Sequence, residues 1–201
     1  MPLDPVACKR LIVLHEGRRA RAYPDSLGIM TVGIGCNLQN PGIPDLFASL
    51  SIDYIAVRSQ HADLTDAQID AVFLFQYNIA VEDAKRLLRL AGELRDRKTS
   101  FDLLPDIACS VLVDMSFQMG GERLRGFAKM LGAFAEQDWD TASTELLDSD
   151  YAKQAPQRAK TNASLLRHLV EQPITITPID LTAELNLTQP TSRTKKEDSN
   201  D

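Results

Sequence analysis

Cysteine, histidine and tryptophan are scarce in this chain of 201 residues, and each scarcity excludes something. The three cysteines, Cys8, Cys36 and Cys109, show no C-x-x-C spacing and leave an odd count, so neither a thiolate metal site nor a disulfide framework is indicated. They are expected to be free thiols in a reducing compartment. His15, His61 and His168 lie far apart, so no zinc site is expected. The one tryptophan, Trp139, is expected to pack in a core. Positive charge is also short: 22 Lys and Arg against 28 Asp and Glu give a formal charge of −6. That balance argues against a nucleic-acid binder. No apolar run approaches the ~20 residues of a membrane span. Asp4 precedes the first apolar stretch and Glu16 follows it, which is no signal-peptide pattern.

What is present is enough apolar sequence, 44%, to build a genuine core at this length. Residues 4–16 are predicted to form a helix, with Asp4 as N-cap, Pro5 at the first position and Gly17 past the end. Val6, Ala7, Leu11 and Leu14 would share its buried stripe. A Pro-Asp-Ser-Leu-Gly turn (24–28) and the run Met30 to Gly35 predict a small hairpin or sheet whose glycines allow close backbone approach. Residues 37–48 are expected to be loop. Thr65-Asp66-Ala67-Gln68 has the pattern of a capping box opening a long helix to about Leu90. Further helices are expected near 103–118, 127–136, 138–147 and 156–170. Past Pro173 the composition turns to Thr, Ser, Asn and Pro, so 173–201 is expected to be a flexible polar tail. Ile174 to Thr177 could add an edge strand.

The chemically informative spacing is Glu16-x8-Asp25-x5-Thr31. Glu16 lies at a helix C-terminus, where the dipole disfavours a carboxylate, whereas Asp25 lies in a polar turn. Two carboxyls in unlike environments are what acid–base hydrolysis of a glycosidic bond requires, and the Thr31 hydroxyl could hold a water between them. Taken singly, each has a plain alternative: a solvated helix end, a turn aspartate, a β-former. Gly33 and Gly35 lack the third glycine and the βαβ setting of a dinucleotide site.

The run LHEGRRARAYPDSLGIMTVGIG resembles the start of the phage-type lysozymes, glycoside hydrolase family 24. Phe117 to Gly120, Gly126-Phe127, Trp139-Asp140 and the QAPQRAK ending at Lys160 resemble the second half of the family's T-even members, in the same order. The resemblance implies an α+β lysozyme-like fold: a domain over 1–172 with a small lobe (about 15–64) bearing a short sheet, a linking helix (about 65–91) and a helical lobe (about 92–172). The N-terminal helix would pack on the helical lobe, with a cleft between the lobes. It further implies Glu16 as general acid, Asp25 as water activator and Thr31 as the group that positions the water. Asn37, Phe117, Gln118 and Arg158 would line the cleft, with Arg158 close to Glu16. An inverting hydrolysis implies carboxyls roughly 6.5–9.5 Å apart.

The implied substrate is bacterial peptidoglycan, cut between N-acetylmuramic acid and N-acetylglucosamine. No cofactor, nucleic acid or membrane insertion is implied, and a monomer is expected. Such a chain would be made in a host cytoplasm and reach the wall through a separate pore. A catalytically weak wall-binding or virion-associated module is the alternative, and a transglycosylase another. Cys36 departs from the family, which usually has histidine there. It would be either a structural replacement, matched by Gln76 on the long helix, or a redox-sensitive thiol beside the cleft. Lys9, Arg10, Arg18, Arg19 and Arg21 could form a basic rim that guides an anionic wall, or simply a solvated face.

Overall fold

The computed structural model describes residues 4–25 and 28–171. The tail expected to be flexible, with the strand considered at Ile174 to Thr177, lies outside the described residues. The chain opens with helix α1, Pro5–Glu16, started as its sequence demands: the Asp4 side chain accepts from the Val6 N–H and Pro5 stands in the first turn. Gly17 closes it at φ 73° with its N–H on the Val13 carbonyl. The buried face of α1 is Cys8, Leu11 and Ile12. Val6 and Leu14 are exposed, which corrects the expected stripe. The apolar positions that meet the later helix Asp106–Met119 are one step round the helix from those the spacing suggested.

A three-stranded antiparallel sheet follows, in order β1 (Arg19–Pro24), β2 (Met30–Gly33) and β3 (Cys36–Asn37). Tyr23 pairs with Thr31, and Thr31 with Asn37. The register slips between Arg19 and Tyr23, a bulge of the kind that bends a strand and re-aims its side chains. The segment expected to be loop holds a helix instead, α2 (Ile43–Ser49), and α3 (Tyr54–Arg58) follows it. Their few apolar anchors, Ile43, Leu46, Phe47 and Val57, are too short a run for helical periodicity to register.

Helix α4, Asp66–Glu93, is 28 residues long, or about 42 Å at 1.5 Å per residue. Both halves of its capping box form: Thr65 accepts from the Gln68 N–H and the Gln68 side chain accepts from the Thr65 N–H. Its early residue Ile69 faces Gly33 of the sheet, where an added Cβ would stand 3.6 Å from it, while its later turns pack on the helical body. Arg18 ties the start of α4 to the sheet through Asp66 (2.9 Å) and Asp70 (2.6 Å).

The helical body comprises α5 (Asp106–Met119), α6 (Gly121–Arg125), α7 (Ala128–Glu136), α8 (Trp139–Leu147), α9 (Asp150–Gln154) and α10 (Pro156–Glu171). A single 3₁₀ turn at Phe101–Leu103 leads into it. Four of these were expected near their observed bounds; α6 and α9, at five residues each, were not. Helix α5 is the axis. Ile107 to Ser116 are buried without a break, the pattern of a helix enclosed on all sides, and α1, α4, α6 and α10 pack around it. Trp139 is buried against Phe134, edge to face at 5.5 Å, as expected. The architecture is α+β and lysozyme-like. Because α4 carries a complete capping box, Thr65→Ala is expected to cost about 1 kcal/mol of stability, measured as a lowered midpoint in urea at unchanged slope.

Candidate active site

Glu16 is the last residue of α1, and two distant segments converge on it. Arg158, from the start of α10, donates from Nη1 to Oε1 at 2.5 Å. The turn between β2 and β3 closes from the other side. Gly35 has φ +66°, and a Cβ there would stand 2.7 Å from Oε2. Only glycine fits both the backbone conformation and that approach, which is the use anticipated for the glycines of this run.

Asp25 and Thr31 are fixed through one shared residue. Asp25 Oδ1 accepts from the Ile29 N–H at 2.9 Å, and the Thr31 hydroxyl donates to the Ile29 carbonyl at 3.2 Å. Thr31 is buried, at 6% exposure, in the middle of the β1–β2–β3 ladder. Asn37, its partner across β3, turns its side-chain oxygen to the Gln39 N–H at 2.7 Å and so shapes the turn that follows. On the helical side Phe117 meets Phe73 of α4 edge to face at 5.5 Å. Gln118 is exposed, and its side-chain oxygen accepts from the Tyr151 hydroxyl at 2.7 Å. Burial keeps that hydroxyl protonated by raising its pKa, as a donor requires.

Behind Arg158 lies a cluster that the spacing of motifs did not reveal. Asp114 on α5 is fully buried. Its Oδ1 accepts from Arg158 Nη2 (2.8 Å) and its Oδ2 from Arg158 Nε (3.0 Å) and Asn162 Nδ2 (2.8 Å). His15 Nδ1 lies 3.0 Å from Oδ1. Burial by itself would raise the Asp114 pKa, but the hydrogen bond from His15 and the charge and hydrogen bonds of Arg158 bring it below the ordinary carboxylate value. Because an ionised carboxylate only accepts, the His15 Nδ1 must carry the proton. Burial works against the charge of Arg158 too, and Asp114 first and Glu16 second more than restore it. Sequence carried one sign of this cluster: Asp114 is a lone charge inside the run Ala108 to Phe117.

The cationic rim is less free than its composition suggested. Arg18 is engaged by Asp66 and Asp70, Arg21 by Asp63 at 2.8 Å, and Arg19 lies over the Tyr23 ring at 4.2 Å. These are structural bonds of the sheet. Cys36 is fully buried, and burial pushes its thiol up to about 12. A neutral, enclosed thiol is a small apolar side chain, without the thiolate that redox chemistry needs. Gln76 is half-buried and its Oε1 has no hydrogen-bond partner among the described residues.

No family model matches the chain. Two curated proteins of Dictyostelium discoideum are similar to it over most of their length. "Probable T4-type lysozyme 2" is 23% identical over 156 residues, 75% of this chain and 88% of that protein. "Probable T4-type lysozyme 1" is 23% identical over 163 residues, 79% of this chain and 92% of that protein. The chain is T4-lysozyme-like. In this T4-lysozyme-like chain the sheet, the end of α1 and the start of α10 meet at Glu16.

Two outcomes test this geometry. Gly35→Ala is expected to destabilise the fold by about 1–2 kcal/mol through the left-handed backbone alone and to displace Glu16, seen as a lowered melting temperature. Iodoacetamide is expected to leave Cys36 unmodified in the native protein and to modify it in urea, read by peptide mass.

Proposed function

We propose that the protein is a muramidase that hydrolyses the β-1,4 bond between N-acetylmuramic acid and N-acetylglucosamine in peptidoglycan. The observation that carries this is the enclosure of Glu16 between Arg158 and Gly35 at the helix end, with Asp25 and Thr31 fixed together on Ile29. The names of the two Dictyostelium relatives support the same activity. Glu16 acts as general acid and passes its proton to the glycosidic oxygen as the C1–O bond breaks. A water attacks C1 from the opposite face, forming the new C–O bond with inversion. Thr31 already donates its own hydroxyl proton to Ile29, so its lone pairs are left to accept from that water. Asp25 takes the proton the water loses, and exchange with solvent returns a proton to Glu16.

The residues 1–172 form the catalytic unit in this proposal. The lobe of about 15–64 and that of about 92–172 are joined by α4, with the glycan between them. Asn37, Phe117 and Gln118 line the cleft, Asn37 on the sheet side and the other two on the helical side. Arg158 belongs to the acid's own surroundings. No helix among the described residues is long and apolar enough to cross a membrane, and the partner of the chain is the wall polymer itself. We place the enzyme in phage-driven lysis, acting as a monomer. It would be made in the host cytoplasm and admitted to the wall by a separate pore.

Product analysis on purified peptidoglycan tests the reaction. The native enzyme is expected to release new reducing-end muramic acid, and Glu16→Gln to lose at least ~10²-fold in rate. Anhydro-muramic products would replace hydrolysis by transglycosylation. Wall binding with no cleavage would leave a binding module.

A further inference from the structure

We propose that Asp114 is a positioning residue for the acid: acting through Arg158, it holds the guanidinium so that only Nη1 reaches Glu16 Oε1 and Oε2 is left to carry the transferable proton. This rests on the assignment of Glu16 as general acid.

Arg158 has five N–H donors. Asp114 takes the Nε and Nη2 edge through both carboxylate oxygens, and its backbone carbonyl accepts from Nη2 a second time at 3.2 Å. What remains on the side of Glu16 is Nη1, bonded to Oε1 alone. Oε2 lies over Gly35. Released from that edge, a guanidinium would tend to pair with Glu16 two-to-two, as arginine does with carboxylates. It would then cover both oxygens and favour the charged form of the acid. The second carboxylate therefore does two things. It fixes the plane of Arg158, and it offsets the positive charge that would otherwise bear on Glu16 alone.

The cost of this arrangement argues that it serves more than cohesion. Asp114 and Arg158 are the only buried charged side chains among the described residues, and Asp114 sits in the most enclosed helix of the fold. A buried ion pair of this kind adds little to stability relative to apolar side chains of the same volume. Its directionality is what apolar packing cannot supply. Besides Glu16, the titratable and charged groups around the pair are His15 and Cys8 from α1, Tyr151 from α9 and Arg158 itself from α10. Cys8 is held neutral by burial, its thiol pushed up to about 12, and Tyr151 is neutral as well. Asn162 adds a neutral donor to Oδ2, so no further cation shares the carboxylate except His15 when it is doubly protonated.

Asp114→Asn removes the charge and keeps the shape. Either orientation of the amide sets its N–H against Arg158, against Nη2 at the Oδ1 position or against Nε at the Oδ2 position. The alkaline limb of the hydrolysis profile is expected to move down by about one pH unit, with kcat lowered about tenfold or more and KM little changed. Asp114→Glu, which restores the charge, is expected to return the limb towards the native position. The folded-state pKa of Asp114 lies below its ordinary value, so its contribution to stability is full above about pH 4 and fades as pH falls further. The melting-temperature deficit of the Asn variant should therefore be larger at pH 7 than at pH 3.

A deficit in melting temperature with an unmoved pH limb would reduce Asp114 to a structural residue and overturn the proposal, as would a limb that moves up. Should Asp114→Asn fail to fold, the native chain decides. A slowly exchanging Arg158 Nε–H in the proton spectrum at pH 7 is expected, and rapid exchange with solvent would overturn the clamp. A native protein that cleaves peptidoglycan at no pH refutes the muramidase proposal instead, while the exchange measurement still judges the clamp.

Discussion

The site depends on one buried ionic contact, that between Asp114 and Arg158. Asp114 is fully buried and Arg158 nearly so, so each is tolerable chiefly because the other is there. Removing one would leave the other unpaired in the helical core, which is why the two must be considered together. Everything that reaches Glu16 from the helical side passes through them. Helix α5 supplies the anion, α10 the cation and α1 the carboxyl at its last residue. Helices α1 and α10 also both pack on α5 apart from the charges. The apolar packing of the core thus sets the position of a polar device to within hydrogen-bonding tolerance.

From the other side the constraint is steric. The β2–β3 turn comes so close to Glu16 that a single methyl group would not fit at Gly35. The two constraints act on different oxygens of one carboxylate, a hydrogen bond on Oε1 and backbone closure on Oε2. Asp25 and Thr31 are independent of both. Their common anchor is the main chain of Ile29, so the turn from β1 to β2 orients them as one unit. A carboxyl held between a side chain and a glycine turn and a pair held by backbone are two separate solutions to the same need for fixed geometry.

How much of this could be read beforehand divides along physical lines. Caps and long periodic segments were legible because their signals are local: Asp4 and Pro5 for α1, the capping box for α4, and the four longer helices of the helical body. The short helices α2, α3, α6 and α9 were not. At five to seven residues they contain too little periodicity, and long-range burial of one or two side chains stabilises them. Glu16, Asp25, Thr31 and Arg158 stood out by spacing and resemblance, and the structure puts Arg158 on Glu16 as the resemblance implied. Of the cluster behind Arg158, the lone charge of Asp114 was visible but its partners, Asn162 among them, were not, since the contact joins helices far apart in sequence. The ion pairs of the basic rim were not legible for a related reason. Charge composition cannot say that Arg18 and Arg21 are already bonded to Asp63, Asp66 and Asp70.

The contact between Glu16 and Arg158 joins positions 142 residues apart, and this has a bearing on time as well as geometry. A chain emerging from the ribosome delivers its carboxyl early and the arginine 142 residues later. Closing so long a loop waits on the intervening helices. Until α10 docks on α5, Glu16 has neither its cation nor the counter-charge behind it, and Asp114 has no reason to stay buried. The surroundings of Glu16 are therefore completed only late in synthesis, together with the helical core.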